Sequence, residues 1–147
     1  MSGLKKSLVK ALKEVFGAMA ICTAIFIFVF LFLVQPVRVV GASMNPTLQN
    51  NEFVLAEKIT FKFEPFKKDE IVIFEHPKQR GIHVIKRIEG LPNSVINGIT
   101  IPEDAYYMLG DNKENSVDSR TWGAVDKKFI VGRAVMVILP LSSLRLL

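Results

Sequence analysis

The sequence predicts a mainly β protein, with a single N-terminal transmembrane helix followed by a small folded-over antiparallel β-sheet domain. Three observations lead there. The stretch from Phe16 to Val34 contains no charged residue, and at about nineteen residues it is long enough to cross a hydrocarbon core as a helix. Past it, short apolar runs are separated by turn signals rather than by long amphipathic stretches. The remainder, roughly a hundred residues, suffices for one hydrophobic core but not two.

The elements follow in order. Residues 1–15 carry Lys5, Lys6, Lys10 and Lys13 against the single acid Glu14, a short basic helix running into the span. Positive charge beside a span favours the cytoplasmic side. The expected organisation is therefore a cytoplasmic segment 1–15, a membrane anchor 16–34 and an extracytoplasmic domain 35–147, single-pass in the plasma membrane. A cleaved secretory signal is the rival reading, since Val40 and Ala42 put small residues three and one positions before Ser43. The apolar run, however, exceeds the usual ~7–15 residues of such a signal, and Gln35, Pro36 and Arg38 intervene.

Gln35-Pro36 ends the helix, because proline disfavours helical backbone in the residue before it. Val37–Val40 reads as a strand broken by Gly41, Asn45-Pro46-Thr47 as a turn, and Leu48 as the start of a short helical turn. Phe53–Ile59 is a further strand. Phe61, Phe63 and Phe66, with charges between them, suit either a half-exposed strand or a loop dipping into the lipid interface. Ile71–Phe74 and Ile82–Glu89 are strands joined by a hairpin over Gln79–Gly81. Asn97-Gly98 is a tight-turn signal, Tyr106–Leu109 is short and apolar, Gly110–Arg120 is a polar loop, and Phe129–Leu139 is the last strand.

The net charge of +5 is spread along the chain without an aromatic-basic cluster, so nucleic acid is not expected and weak attraction to anionic lipid is. The single Cys22 lies in the span and forms no internal disulfide. No Cys/His spacing suggests a metal and no Gly-rich loop suggests a phosphate cofactor, so neither metal nor cofactor is expected.

Two residues carry chemistry. With period two along Ile82–Glu89, Lys86 shares its face with Ile82, Val84 and Ile88, while His83, Ile85, Arg87 and Glu89 take the other. Burial among apolar neighbours disfavours the ammonium and favours the neutral amine, which can serve as a general base. Alone, such a lysine could equally snorkel to water. Ser43 follows the small residues Gly41 and Ala42, where another backbone can approach closely, although a lone serine beside a turn is usually structural.

The wider pattern is more specific. Ser43-Met44-x-Pro46-Thr47-Leu48, then Asp69–Phe74, then Lys86-Arg87-Ile88-x-Gly90-Leu91-Pro92, then Gly110-Asp111-Asn112 with Asn115-Ser116-x-Asp118-Ser119-Arg120 and Gly123, taken in this order, resemble the type I signal peptidases. These are membrane-anchored Ser/Lys endopeptidases that remove signal peptides from exported proteins. The resemblance implies Ser43 as nucleophile, Lys86 as general base and Ser116 as the residue that orients Lys86. It implies Asp111 with Arg87 and Asp118 with Arg120 as structural braces, and the backbone N–H of Ser43 as an oxyanion donor. A side-chain donor found in some relatives two residues before the nucleophile is replaced here by Gly41, as in other relatives. The motif after the base departs from the usual Pro-Gly-Asp at Pro92-Asn93-Ser94, and the stretch to Gly110 is short.

Cleavage after small residues, of the Ala-x-Ala type, is then expected, with Val37, Val39, Met44 and Ile85 as pocket walls. An extended signal peptide would pair along a strand edge. Expected partners are the signal peptides of secretory preproteins, membrane lipid and, by proximity, the export channel. The alternative readings are a specialised peptidase, or a non-catalytic assembly chaperone, for pilin-like or surface proteins on the same fold. His76 and His83 are expected on the surface, with His83 turned away from Lys86.

Overall fold

The computed structural model describes residues 2–147, and the backbone alone for residues 2, 4, 5 and 6. Met1 and the side chains of Lys5 and Lys6, part of the basic segment 1–15, lie outside the described residues. The chain divides into two compact units, a helical one ending at Val34 and a second over Gln35–Leu147.

The first unit is one helix, α1 (Ser2–Phe28), continued by a π-type turn over Val29–Leu33. The uninterrupted apolar run explains its length, and Ser7–Leu33 is long and apolar enough to cross a membrane. Phe16, Ile21, Phe26 and Leu31 are exposed around it, as a lipid-facing surface requires. The helix gives way to extended backbone at Val34, just before the expected break at Gln35-Pro36.

The second unit is mainly antiparallel β-sheet. Its strands are β1 (Val34–Arg38), β2 (Phe53–Glu57), β3 (Ile71–Glu75), β4 (His83–Gly90), β5 (Val95–Ile96), β6 (Ile99–Thr100) and β7 (Ala105–Leu109). A single-turn helix α2 (Ser119–Trp122) is followed by β8 (Val125–Asp126), β9 (Ile130–Leu139) and β10 (Arg145–Leu146). Eight strands form one sheet in the order β1-β2-β9-β3-β4-β7-β8, with β10 also on β9. The two remaining strands, β5 and β6, make a separate hairpin whose turn is Asn97-Gly98, both at positive φ, as a type I′ turn demands.

β3 is buried on both faces, which is why its sequence is an unbroken apolar run. Ile71 and Ile73 join a core with Val39, Met44, Leu48, Val54 and Val137. Val72 and Phe74 join another with Phe66, Ile88, Tyr106 and Met108. Val37 of β1 and Ile85 of β4 pack on the same core, although three strands separate them in the sheet order. The sheet therefore folds over on itself.

Several boundaries differ from expectation. β1 ends at Arg38 rather than Val40, because Val39 leaves the strand to exchange hydrogen bonds with Glu52 and Asn51. Leu48 closes a turn rather than opening one, its N–H reaching the Met44 carbonyl at 2.9 Å. The segment Phe61–Phe66 forms no strand. A 3-10 turn over Thr60–Lys62 leads into a fold-back in which Phe61 stacks on buried Phe66, and Phe63 is left 83% exposed.

Candidate active site

Ser43 sits in the connection between β1 and β2. Its neighbours fix it there: Met44 and Leu48, four residues apart, both point into the core and are 2% and 0% exposed. That spacing nails the loop down at two points and leaves Ser43 half-buried at its rim. The next support comes from the loop after β7. Asn112 N–H donates to the Ser43 carbonyl at 3.0 Å, and Asn112 Nδ2 to the Ala42 carbonyl at 3.2 Å. Asn50 Oδ1 accepts the Gly41 N–H at 2.9 Å.

Lys86 lies in β4 across from Val72, between Val84 and Ile88, and only 3% of it is exposed. Its Nζ donates to Ser43 Oγ at 2.6 Å. Burial pushes the lysine down from its ordinary value, and the fields of Asp118 and Asp111 oppose that only in part. The result is an amine biased toward the neutral form and already touching the hydroxyl it would deprotonate.

Two ion pairs frame this contact. Arg87, next to Lys86 but on the opposite face of β4, holds Asp111 with two of its guanidinium nitrogens at 2.8 and 2.7 Å. Burial raises the Asp111 carboxyl, but Arg87 and Thr47 outweigh it and hold the group below its usual value. Arg87 also donates to the Asp69 carbonyl at 2.6 Å. Asp118 is fully buried. It accepts from Arg120 at 2.8 and 2.9 Å, from Gly110 N–H at 3.1 Å and from Ser116 Oγ at 2.7 Å. Burial pushes it up, yet these donors together hold its pKa at about 2.

Ser116 thus donates its O–H to Asp118 as a hydrogen bond, where sequence reasoning expected a bond to Lys86. Donating in that direction leaves its oxygen lone pairs to accept an N–H. Gly110 shows how tightly the loops close: a Cβ there would stand 2.2 Å from Ser116 Oγ and 2.6 Å from the Ser43 carbonyl. Only glycine lets these two segments meet.

A cleft of about 510 Å³ opens at Ser43 and Lys86. Val37, Val39, Met44 and Ile85, the expected wall residues, all line it. So do residues that strand alternation did not suggest. The cleft takes in Ile82 to Lys86 consecutively, so His83 lies along it, while strand alternation keeps its side chain on the face of β4 opposite Lys86. His76 lines it too, its ring packed edge-on against Trp122 at 4.8 Å. Sequence reasoning also missed the pair beneath the serine loop. Arg145 grips buried Glu52 at 2.8 Å through its Nη1 and Nη2 and donates to the Thr47 carbonyl. Nothing local marks it, because its partners are separated by 93 residues.

A serine hydroxyl held against a buried amine in a cleft of mixed apolar and polar lining is the equipment of a hydrolase that works through an activated hydroxyl. The chain belongs to the signal peptidase family, peptidase S26, whose pattern matches residues 12–98 and 93–139. It is 32% identical over 148 residues to the probable signal peptidase I-2 of a Synechocystis species, covering 79% of this chain and 68% of the relative. It is 32% identical over 152 residues to signal peptidase I P of Bacillus subtilis subsp. natto, covering 78% of this chain and 82% of the relative. It is also 34% identical over 113 residues to subunit 1 of the human mitochondrial inner membrane protease, covering 69% of this chain and 68% of the relative.

Proposed function

We propose that the chain is a membrane-anchored serine endopeptidase that removes N-terminal signal peptides from exported proteins, using Ser43 and Lys86 as a catalytic dyad. The observation that carries this reading is the 2.6 Å contact between Lys86 Nζ and Ser43 Oγ in the cleft that both residues line.

Neutral Lys86 accepts the Ser43 proton as Oγ attacks the scissile carbonyl carbon. The tetrahedral oxyanion is stabilised by the backbone N–H of Ser43. Lys86 then returns the proton to the leaving amine, which departs as the new N-terminus, and an acyl-Ser43 ester remains. Water, deprotonated by Lys86, cleaves that ester and releases the signal peptide. Ser116, turned to donate to Asp118, offers its oxygen to Lys86 and orients the amine. The Asp111–Arg87 and Asp118–Arg120 pairs hold the loops that set this geometry.

Selection for small side chains at −1 and −3, as in Ala-x-Ala, follows from the walls formed by Val37, Val39, Met44 and Ile85. The apolar helix anchors the chain in the plasma membrane with its basic end in the cytoplasm and residues 35–147 outside. Ser43 follows the last helical residue, Leu33, by only ten positions, so the tether cannot stretch beyond roughly 35 Å. That keeps the serine within reach of a signal peptide emerging from the export channel.

The test is cleavage of a preprotein with an Ala-x-Ala site by the full chain in detergent, with mass spectrometry of the products. Cleavage after the second alanine, lost in both Ser43→Ala and Lys86→Ala, is expected. No cleavage by folded wild type would contradict the reading.

A further inference from the structure

Beyond its apolar walls the cleft has an electrostatic character. Its ionisable lining residues are Arg38, His76, His83 and Lys86, with no carboxylate among them. Lys86 is spent on Ser43, and His76 Nδ1 accepts the Lys78 N–H at 3.1 Å. Arg38 is different. It is exposed, it always carries its charge, and its described partner is a neutral amide, Asn51 Oδ1 at 2.7 Å. The sequence's other clustered arginines near the site, Arg87 and Arg120, are each neutralised by an aspartate.

Arg38 also has a defined register. β1 is the terminal strand of the sheet, so its outer edge is open to a further strand. Val37 and Val39 face the core side of the cleft, and Arg38 stands between them on the other face. An extended substrate whose −3 and −1 side chains enter the walls made by Val37 and Val39 must turn its −2 side chain the opposite way. Neighbouring strands bring same-face side chains within contact distance, and on that face stands Arg38.

We propose that Arg38 makes this enzyme select an acidic side chain, Asp or Glu, at position −2 of its substrates, and disfavour Lys or Arg there. The inference rests on the signal-peptide reading above.

The experiment uses the full chain in detergent and a series of peptides with Ala-x-Ala sites in which x is Asp, Asn or Lys. The readout is kcat/KM for each. An exposed ion pair of this kind corresponds to about a threefold preference for Asp over Asn, with a further loss for Lys. The Asp-to-Lys ratio should fall as salt rises from about 0.05 to 0.5 M, since screening weakens exposed pairs. Arg38→Gln should bring the ratio to near one, and Arg38→Glu should invert it. Because the ratio is taken within each variant, a general loss of activity does not mimic the result. Peptides cleaved with equal efficiency, or a ratio unmoved in Arg38→Glu, would overturn the assignment of Arg38 while leaving the peptidase intact. Failure to cleave any of the peptides would instead strike the signal-peptide reading on which it depends.

Discussion

The Lys86 amine must be neutral to accept a proton, and burial among Val72, Val84 and Ile88 lowers its pKa toward that form. Replacing it by methionine preserves the apolar packing but removes the base, and kcat should fall by about a hundredfold or more. Thermal stability should hold or rise, because a costly buried amine is gone. Gly110 gives a complementary test. In Gly110→Ala the added carbon collides with Ser116 Oγ and the Ser43 carbonyl. Overpacking of this kind costs about 1–3 kcal/mol, so a drop in melting temperature should accompany loss of turnover. At this scale the serine and the lysine that meet at 2.6 Å were legible from sequence, since ordered motifs carried them. Asn112 was named only as part of a motif, because its bonds run to backbone carbonyls 69 and 70 residues away. Such contacts leave no local pattern.

The elements hold Ser43 against Lys86 through two buried carboxylates. Asp118 caps α2 and collects donors from Gly110, Ser116 and Arg120. Its folded pKa of about 2 lies below its ordinary 3.8, so the stability it contributes is complete above about pH 4. That contribution is lost as pH falls toward about 2. Acid unfolding followed by circular dichroism should show this loss, and Asp118→Asn should unfold with a weaker dependence over that window. Glu52 ties the serine loop to β10. Arg145→Ala leaves its carboxylate without the charged donors, and because Arg145 is itself partly exposed the loss costs about 1–3 kcal/mol, measurable by urea denaturation. Strand existence was readable from apolar runs and turn dipeptides such as Asn97-Gly98. The Phe61–Phe66 fold-back was not, because charges between the phenylalanines imitate strand alternation. What decides it is tertiary: Phe66 fits edge-on against Tyr106, and Phe61 follows it.

For the whole molecule, the proposed topology rests on the basic residues that precede the apolar run. In a Cys22→Ser background, Lys13→Cys should resist a membrane-impermeant maleimide applied to intact cells until they are lysed. Lys113→Cys should be labelled at once. Labelling in the reverse pattern would contradict the basic-end-inside topology. The fold-over of the sheet, which brings Val37 and Ile85 to one cleft, depends on strand order, and short strands of similar composition do not reveal their order. The cleft walls were therefore found as residues before they could be understood as a shape. The central claim remains chemical: Lys86 activates Ser43. The most direct measurement is the pH dependence of kcat/KM for Ala-x-Ala preprotein cleavage by wild type and Lys86→Ala. The wild-type rate should climb as Lys86 loses its proton, through a pKa below the ordinary lysine range, while Lys86→Ala shows only a trace activity without that rise. A Lys86→Ala enzyme with the wild-type rate and the wild-type pH profile would contradict it.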